Sequence, residues 1–403
     1  MGKHKILIVG GGFGGIKTAL ELCKDRRFDI TLVSDREDFR VYPALYRVST
    51  GGIRDLASIP LTEIFKDKPV HIIYSRVTGL DRKARTVSLD NGGTLPYDGL
   101  VLSLGVQTNY FHIQGLDTYS YGIKSVSEAE KLRNHLHQQL IEQGKLDHHY
   151  VIIGGGPTGI ELAGSLPEYL RRIAKQHGLK VKKVHVELVE AAPRLLPRMP
   201  KDVSMMVKRH LRKVGVRVFV NTAVQAQTAD TLMANNKPIR SHTVIWTAGV
   251  ANSPFYTEQG FQLARNGKVR VDQYLQAESG IYVIGDNADT PYSGLAQTAL
   301  YDGKFIARNC IRLADQKLPK PYRAVEPVYA IPAGPRWAAM LWRGLRIYGW
   351  LAWFLRGIAD LIEYHDYQPW KMATRRWSAE AVEHETCPQC QNLNSFDLRQ
   401  SNN

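Results

Sequence analysis

The chain has 403 residues, enough for two or three domains that each bury their own core. Its 44% hydrophobic and 23% charged content excludes a disordered, collagen-like or coiled-coil chain. The formal net charge of +15 points to an anionic partner of some kind.

From the N-terminus, residues 5–9 read as a short, fully apolar strand, the pattern of a parallel sheet covered on both faces. Gly10, Gly11, Gly12, Phe13, Gly14 and Gly15 then form a glycine-rich turn, and residues 16–23 read as a helix. The next strand, residues 29–34, ends at Asp35. The same order returns later: strand 150–153, turn Gly154, Gly155, Gly156, Pro157, Thr158 and Gly159, helix 160–170, and strand 185–189 ending at Glu190. The two turns lie 144 positions apart, as do the apolar runs 100–105 and 244–249, which end at Gly105 and Gly249. The chain therefore carries two βαβ units of similar size. A further strand, residues 281–284, leads to Gly285 and Asp286, and a helix follows near residues 295–313. It has no counterpart in the repeat, so the second unit is expected to be inserted in the first.

A single G-x-G-x-x-G is a weak signal. Here each copy lies between a strand and a helix, has an acid at the next strand end, and is duplicated. In such a turn the first glycine permits the bend, the second lets backbone approach a pyrophosphate, and the third allows close helix packing. The phosphates rest on N–H groups at a helix N-terminus. Two dinucleotides are thus expected. Asp35 and Glu190 are placed to accept hydrogen bonds from adenosine ribose hydroxyls, and a carboxylate repels a 2′-phosphate, favouring NADH over NADPH. Glu190 lies 36 residues after Gly154, an interval lengthened by helix and basic loop, and Arg194 is a rival phosphate contact.

These motifs, with residues 42–49 (YPALYRVS), Trp246 to Val250 and the stretch from Ile284 to Asn309, resemble the type II NADH:quinone dehydrogenases over residues 1 to about 320. The expected fold is α/β with two Rossmann-like dinucleotide-binding domains, the second inserted in the first, plus a C-terminal amphipathic helical membrane-associating segment read from the residues beyond Pro332. The resemblance implies FAD held by Gly10, Gly12, Gly15, Asp35 and Asp286, and NADH held by Gly154, Gly156, Gly159 and Glu190. Phe13, Gly14, Arg36, Gly105, Gly285, Ala296, Gln297, Pro157, Thr158 and Gly249 complete the expected cofactor sites. Expected boundaries are 1–112 and 251–330 for the FAD domain, 113–250 for the NADH domain, and 331–403 for the C-terminal segment and tail.

The same resemblance makes quinone the electron acceptor and Glu161, Gln297 and Tyr301 the candidate catalytic residues. Glu161 has a second reading, as an acid favoured in a first helical turn. The family's AQxAxQ motif ends here in Tyr301, and Tyr42 and Arg47 stand where glutamines are common. The helix that opens near residue 295 is expected to aim its N-terminal dipole at reduced flavin and to border the quinone with Gln297.

Beyond Pro332 the composition changes, and six of the seven tryptophans lie between Trp337 and Trp377. Trp350, Leu351, Trp353, Phe354, Ile358, Leu361 and Ile362 fall on one helical face. Tryptophan and arginine suit a helix lying in an anionic membrane surface, and docking on the chain's own core or on a second copy is the alternative. The longest uncharged apolar run, residues 347–355, is too short to span a bilayer. The strand-like run at residue 5 leaves no room for a charged and apolar leader, so no cleaved signal is expected. The expected place is peripheral, on the cytoplasmic face of the cell membrane, and the absence of spanning helices implies no proton pumping. A homodimer is compatible with these features.

Residues 165–217 hold 14 Lys/Arg against 4 Asp/Glu, but no stacking or finger motif accompanies them, so no nucleic acid is expected. Cys23, Cys310, Cys387 and Cys390 are too scattered for a disulfide framework. Residues 24–309 contain none, which argues against a dithiol relay and against a sulfide:quinone oxidoreductase. His384, Cys387 and Cys390 offer three ligands where structural zinc takes four, so no metal is expected. The remaining alternatives are a reductase of a ferredoxin- or rubredoxin-like protein and a non-enzymatic flavin-binding interaction protein.

Overall fold

The computed structural model describes residues 2–180 and 183–379, which fall into two compact units. The first comprises the chain up to Arg40, Ile59–Gln107 and Val250–Pro327. The second comprises Val41–Ser58, Thr108–Gly249 and the described residues from Val328 to Ala379. His384, Cys387 and Cys390 lie outside the described residues.

In the first unit a six-stranded sheet runs in the order Gln276–Glu278, Ile281–Val283, Gly99–Leu102, His4–Val9, Phe28–Ser34, Val70–Tyr74. All pairings are parallel except the first. Ile6 to Val9 are buried because both faces of the sheet are covered, which is why that strand reads as unbroken apolar sequence. Strand order reverses on either side of His4–Val9, and such a switch point opens a crevice beyond the strand's carboxyl end. The helix Phe13–Leu22 crosses the helix Ala296–Ala314 at two glycines. A Cβ on Gly303 would stand 2.6 Å from the Gly14 carbonyl oxygen, and one on Gly14 would stand 2.9 Å from Ile284 Cδ1. Gly303 is thus required by the close approach of the two helices, while a Cβ on Gly14, expected at the cofactor, would press on the end of Ile284 and stand 3.3 Å from the Ala299 carbonyl oxygen.

The second unit repeats the design with five parallel strands in the order Tyr121–Gly122, Thr243–Trp246, Tyr150–Ile153, Val186–Val189, Val216–Phe219. The helix Val126–Gln143 opens with a capping box between Ser125 and Glu128. Each unit also carries a three-stranded antiparallel meander, Val77–Asp81, Thr86–Leu89 and Thr94–Pro96 in one, Val224–Gln227, Thr231–Ala234 and Lys237–Arg240 in the other. The repeat therefore extends beyond the motifs that reveal it.

Two segments sit elsewhere than the expected boundaries placed them. Residues 41–58 group with the second unit, because Tyr46 enters its core and Arg133 and Arg172 donate to the carbonyls of Gly52 and Thr50 at 3.3 and 3.1 Å. Residues 328–379 are part of that unit as well. Ile331, Ala333 and Ala339 lie in the same core, and a Cβ on Gly164 would stand 2.2 Å from the Ala333 carbonyl carbon.

Candidate functional site

In the first unit the strand His4–Val9 delivers Gly10 in a conformation that L side chains avoid, φ +114°. A Cβ there would stand 2.2 Å from the Ser103 carbonyl oxygen, and one on Gly15 would stand 2.1 Å from the Gly10 carbonyl oxygen. Gly12 differs: a Cβ there would meet nothing within 4 Å. It is the N-cap of the helix Phe13–Leu22 and has no side chain to cap it, so the turn opens toward an anion. Asp35 follows the strand Phe28–Ser34 and is exposed, with Arg36 Nη1 3.5 Å from its Oδ1. Arg36 Nε is buried without a hydrogen-bond partner. An open backbone cradle, a carboxylate and an unsatisfied guanidinium nitrogen fit the pyrophosphate and adenosine of FAD. Phe13 itself is core, edge-on to Phe39 at 4.9 Å, so only its backbone can serve a ligand.

Asp286 sits in the single helical turn Gly285–Asn287. Gly105 is joined to it through Asn287, whose Oδ1 accepts the Gly105 N–H at 2.9 Å and whose Nδ2 donates to the Gly105 carbonyl at 2.6 Å. Ala296 and exposed Gln297 open the helix Ala296–Ala314, and the Tyr301 ring lies 5.8 Å from that of Tyr322.

The second unit builds the same cradle. Gly154 has φ +117°, a Cβ on Gly159 would stand 1.9 Å from the Gly154 carbonyl oxygen, and one on Gly156 would meet nothing within 4 Å. Pro157 and Thr158 are exposed in the first turn of the helix Pro157–Gln176. Glu190 Oε2 accepts the Gly155 N–H at 2.6 Å and Oε1 accepts the Ala192 N–H at 2.7 Å. These bonds orient the carboxylate before any ribose arrives. Arg194 turns away from a phosphate role: Nη1 donates to the Leu196 and Met199 carbonyls at 3.1 and 2.6 Å, and Nη2 to Pro197 at 2.6 Å. Gly249 is needed for close chain approach, since its Cβ would stand 2.3 Å from the Asn109 carbonyl oxygen.

Sequence reasoning missed Ser103 and Thr247. The Ser103 hydroxyl donates to Val9 and Gly10 carbonyls, both at 3.1 Å, and Thr247 does the same to Ile153 and Gly154 at 2.8 and 3.3 Å. They too are 144 positions apart, so the repeat offset would have found them.

Glu161, in the helix Pro157–Gln176, is buried beside two arginines and a second carboxylate. Burial pushes its carboxyl up to about 7, Arg356 and Arg47 pull it back, and Asp360 pushes it further up. Arg47 Nη2 lies 3.1 Å from Asp360 Oδ2, and Arg356 Nε lies 2.5 Å from Asp360 Oδ1. Arg356 and Asp360 come from the helix Trp350–Tyr367. That helix docks through Ala352, Asp360, Tyr364 and Tyr367, leaving Trp350, Leu351, Trp353, Phe354, Ile358 and Ile362 exposed. Leu361 is half-buried. The hairpin of Ala338–Trp342 and Leu345–Gly349 adds exposed Trp342 and Leu345.

Two sheets, one wholly and one mainly parallel, each with an open glycine cradle, define a pyridine-nucleotide-linked oxidoreductase. Residues 4–303 match the pyridine nucleotide-disulphide oxidoreductase family, and the chain belongs to it. The type II NADH:quinone oxidoreductase NdhA of Mycobacterium tuberculosis is 30% identical over 75% of this chain and 70% of its own length. That of Staphylococcus haemolyticus is 26% identical over 89% of this chain and 94% of its own. The structure of NDH2 from Plasmodium falciparum in complex with NADH shares the fold, with a TM-score of 0.80 and 17% identity over 94% of this chain and 97% of that one. Within the family the chain stands with the type II NADH:quinone oxidoreductases.

Proposed function

We propose that this chain takes two electrons from NADH and passes them through FAD to a quinone. The observation that carries this reading is the duplicated cradle, open at Gly12 and at Gly156 and flanked each time by a carboxylate. Gly10, Gly12, Gly15, Asp35, Arg36 and Asp286 hold FAD. Gly154, Gly156, Gly159 and Glu190 hold NADH, the last selecting a ribose with a free 2′-hydroxyl. FAD, when bound, accepts a hydride and releases electrons to the quinone.

The chain's own residues then orient the nucleotides and supply a proton. The net reaction of NADH, a quinone and one proton gives NAD⁺ and a quinol. Glu161, held near neutrality by burial against Arg356, Arg47 and Asp360, can carry that proton. Gln297 and Tyr301 serve the quinone step, with Tyr301 offering a ring face where the family has an amide.

No helix among the described residues is long and apolar enough to cross a membrane. The exposed tryptophans and Phe354 suit the headgroup region, and exposed Arg343 and Lys371 suit an anionic surface on the cytoplasmic face. Electron transfer then proceeds without proton pumping. The test is optical: NADH should bleach the flavin absorbance of the purified protein, and a water-soluble quinone should restore it. A protein reoxidised only by an added iron–sulfur protein, or one that never bleaches, removes the proposal.

A further inference from the structure

We propose that Asp302 is a positioning residue for the flavin: its buried carboxylate latches the turn that carries Asp286, and its charge sets the flavin's reduction potential. The proposal rests on the assignment of Asp286 to FAD.

Asp302 lies in the second turn of the helix Ala296–Ala314 and is completely buried. Its Oδ2 accepts the Gly285 N–H at 2.9 Å, and its Oδ1 accepts the Tyr322 O–H at 2.7 Å. The Gly285 carbonyl accepts the Ser293 hydroxyl at 2.9 Å, and Lys268 Nζ donates to that hydroxyl at 2.7 Å. On the other side of Asp286, Asn287 is clamped to both backbone groups of Gly105. Asp286 thus stands between two residues whose polar groups are fixed by side chains from elsewhere in the unit. Gly285 has φ +69°, so the turn is also one that few residues can adopt. Such support is what holds a ligand-binding carboxylate in one place.

A carboxylate suits this latch because it only accepts, and it meets two donors. The groups facing it are the Tyr322 hydroxyl from the segment after the helix and the Asp286 carboxylate from the turn, with Tyr301 of its own helix acting on Tyr322. Burial raises the Asp302 carboxyl to about 6, the Tyr322 and Gly285 hydrogen bonds hold it down, and Asp286 pushes it further up. Above that pH the latch is negative. A reduced flavin held by Asp286 would carry added negative charge, and a carboxylate one hydrogen bond from the turn that bears Asp286 would oppose it.

The experiment uses the full-length holoprotein and the variants D302N, D302L and D286N, with FAD release read by fluorescence and the flavin midpoint potential read between pH 5 and pH 8. D302N keeps an oxygen for the Gly285 N–H and offers its NH₂ to the Tyr322 oxygen, so FAD affinity is expected within about threefold of wild type. Its potential is expected to be more positive at pH 8, with the difference closing by pH 5. D302L loses both bonds and is expected to weaken FAD about tenfold or more. An unchanged potential of D302N at pH 8, or wild-type FAD retention by D302L, overturns the proposal. If D302L does not fold, D302N alone decides through its potential. If D286N keeps FAD as wild type does, the assignment beneath the proposal fails and the proposal with it. If D286N releases FAD while D302L does not, only the latch fails.

Discussion

Gly155 donates its N–H to Glu190 Oε2 at 2.6 Å, tying the glycine turn of the second unit to the acid at the end of its next strand. With Ala192 holding Oε1, both oxygens keep one lone pair for a ribose diol, and Arg194 is committed to backbone carbonyls. Replacing Glu190 by Ala is therefore expected to raise the KM for NADH about tenfold with little change in kcat, and to narrow the preference over NADPH. Steady-state kinetics with both nucleotides reads this. Replacing Arg194 by Ala should lower thermal stability by about 1–2 kcal/mol, through loss of loop carbonyl partners, without improving NADPH. A gain in NADPH on losing Glu190 that also required Arg194 would contradict the geometry.

The glycines separate into those that shape the turn and those that leave room for the ligand. A Cβ on Gly156 meets nothing within 4 Å, whereas one on Gly159 would stand 1.9 Å from a backbone oxygen. G156A should melt within about 0.5 kcal/mol of wild type yet raise the KM for NADH about tenfold or more, because its methyl occupies the space of the phosphates. G159A should destabilise the protein by about 3 kcal/mol or more, since backbone must move. Thermal melts of the two proteins, followed by NADH titration of the survivor, distinguish the roles.

Much of this was legible in the sequence because duplication made it so. The strands of residues 5–9 and 150–153, the turns between them and their helices, and Asp35 and Glu190 follow from apolar runs and glycine spacing, which local physics dictates. Ser103 and Thr247 were legible only through the repeat offset, and Asn287 and Asp302 not at all. A buried polar side chain serves a backbone group far along the chain, and no periodicity marks it. Residues 41–58 were misplaced for a related reason: Tyr46 enters the second unit's core while lying early in the chain. The charged face of the helix Trp350–Tyr367 was hidden because amphipathicity shows that a helix has two faces and not which one is covered. Here the face with Arg356 and Asp360 is inward and the tryptophan face is outward.

That outward face yields a prediction for the proposed membrane association. Changing Trp350, Trp353 and Phe354 together to Ser removes apolar surface worth about 1 kcal/mol or more per ring on transfer to an interface. Sedimentation with anionic vesicles should fall at least about tenfold, while flavin content and reduction by NADH stay as in wild type. Equal sedimentation of the variant would place the membrane contact elsewhere.

Glu161 gives a pH dependence with a fixed sign. Its carboxyl is raised from 4.5 to about 7 in the folded chain, with burial the largest cause. A raised folded-state value favours the protonated form, so its contribution to stability is complete below about 4.5 and fades as pH climbs through about 7. Above that range the wild-type protein holds a buried charge that Arg356 and Arg47 compensate only in part. E161Q removes the titration while keeping the shape. Its melting temperature should therefore exceed that of wild type at pH 8 and match or fall below it at pH 5, the difference between the two conditions being on the order of 1–3 kcal/mol. If Glu161 also carries the proton for the quinone, E161Q should lower kcat for quinone reduction and flatten its decline above pH 7. The rate of flavin bleaching by NADH should be untouched. Melting curves that shift equally at both pH values would mean that Glu161 keeps its charge throughout, and the arginines would then be its permanent partners.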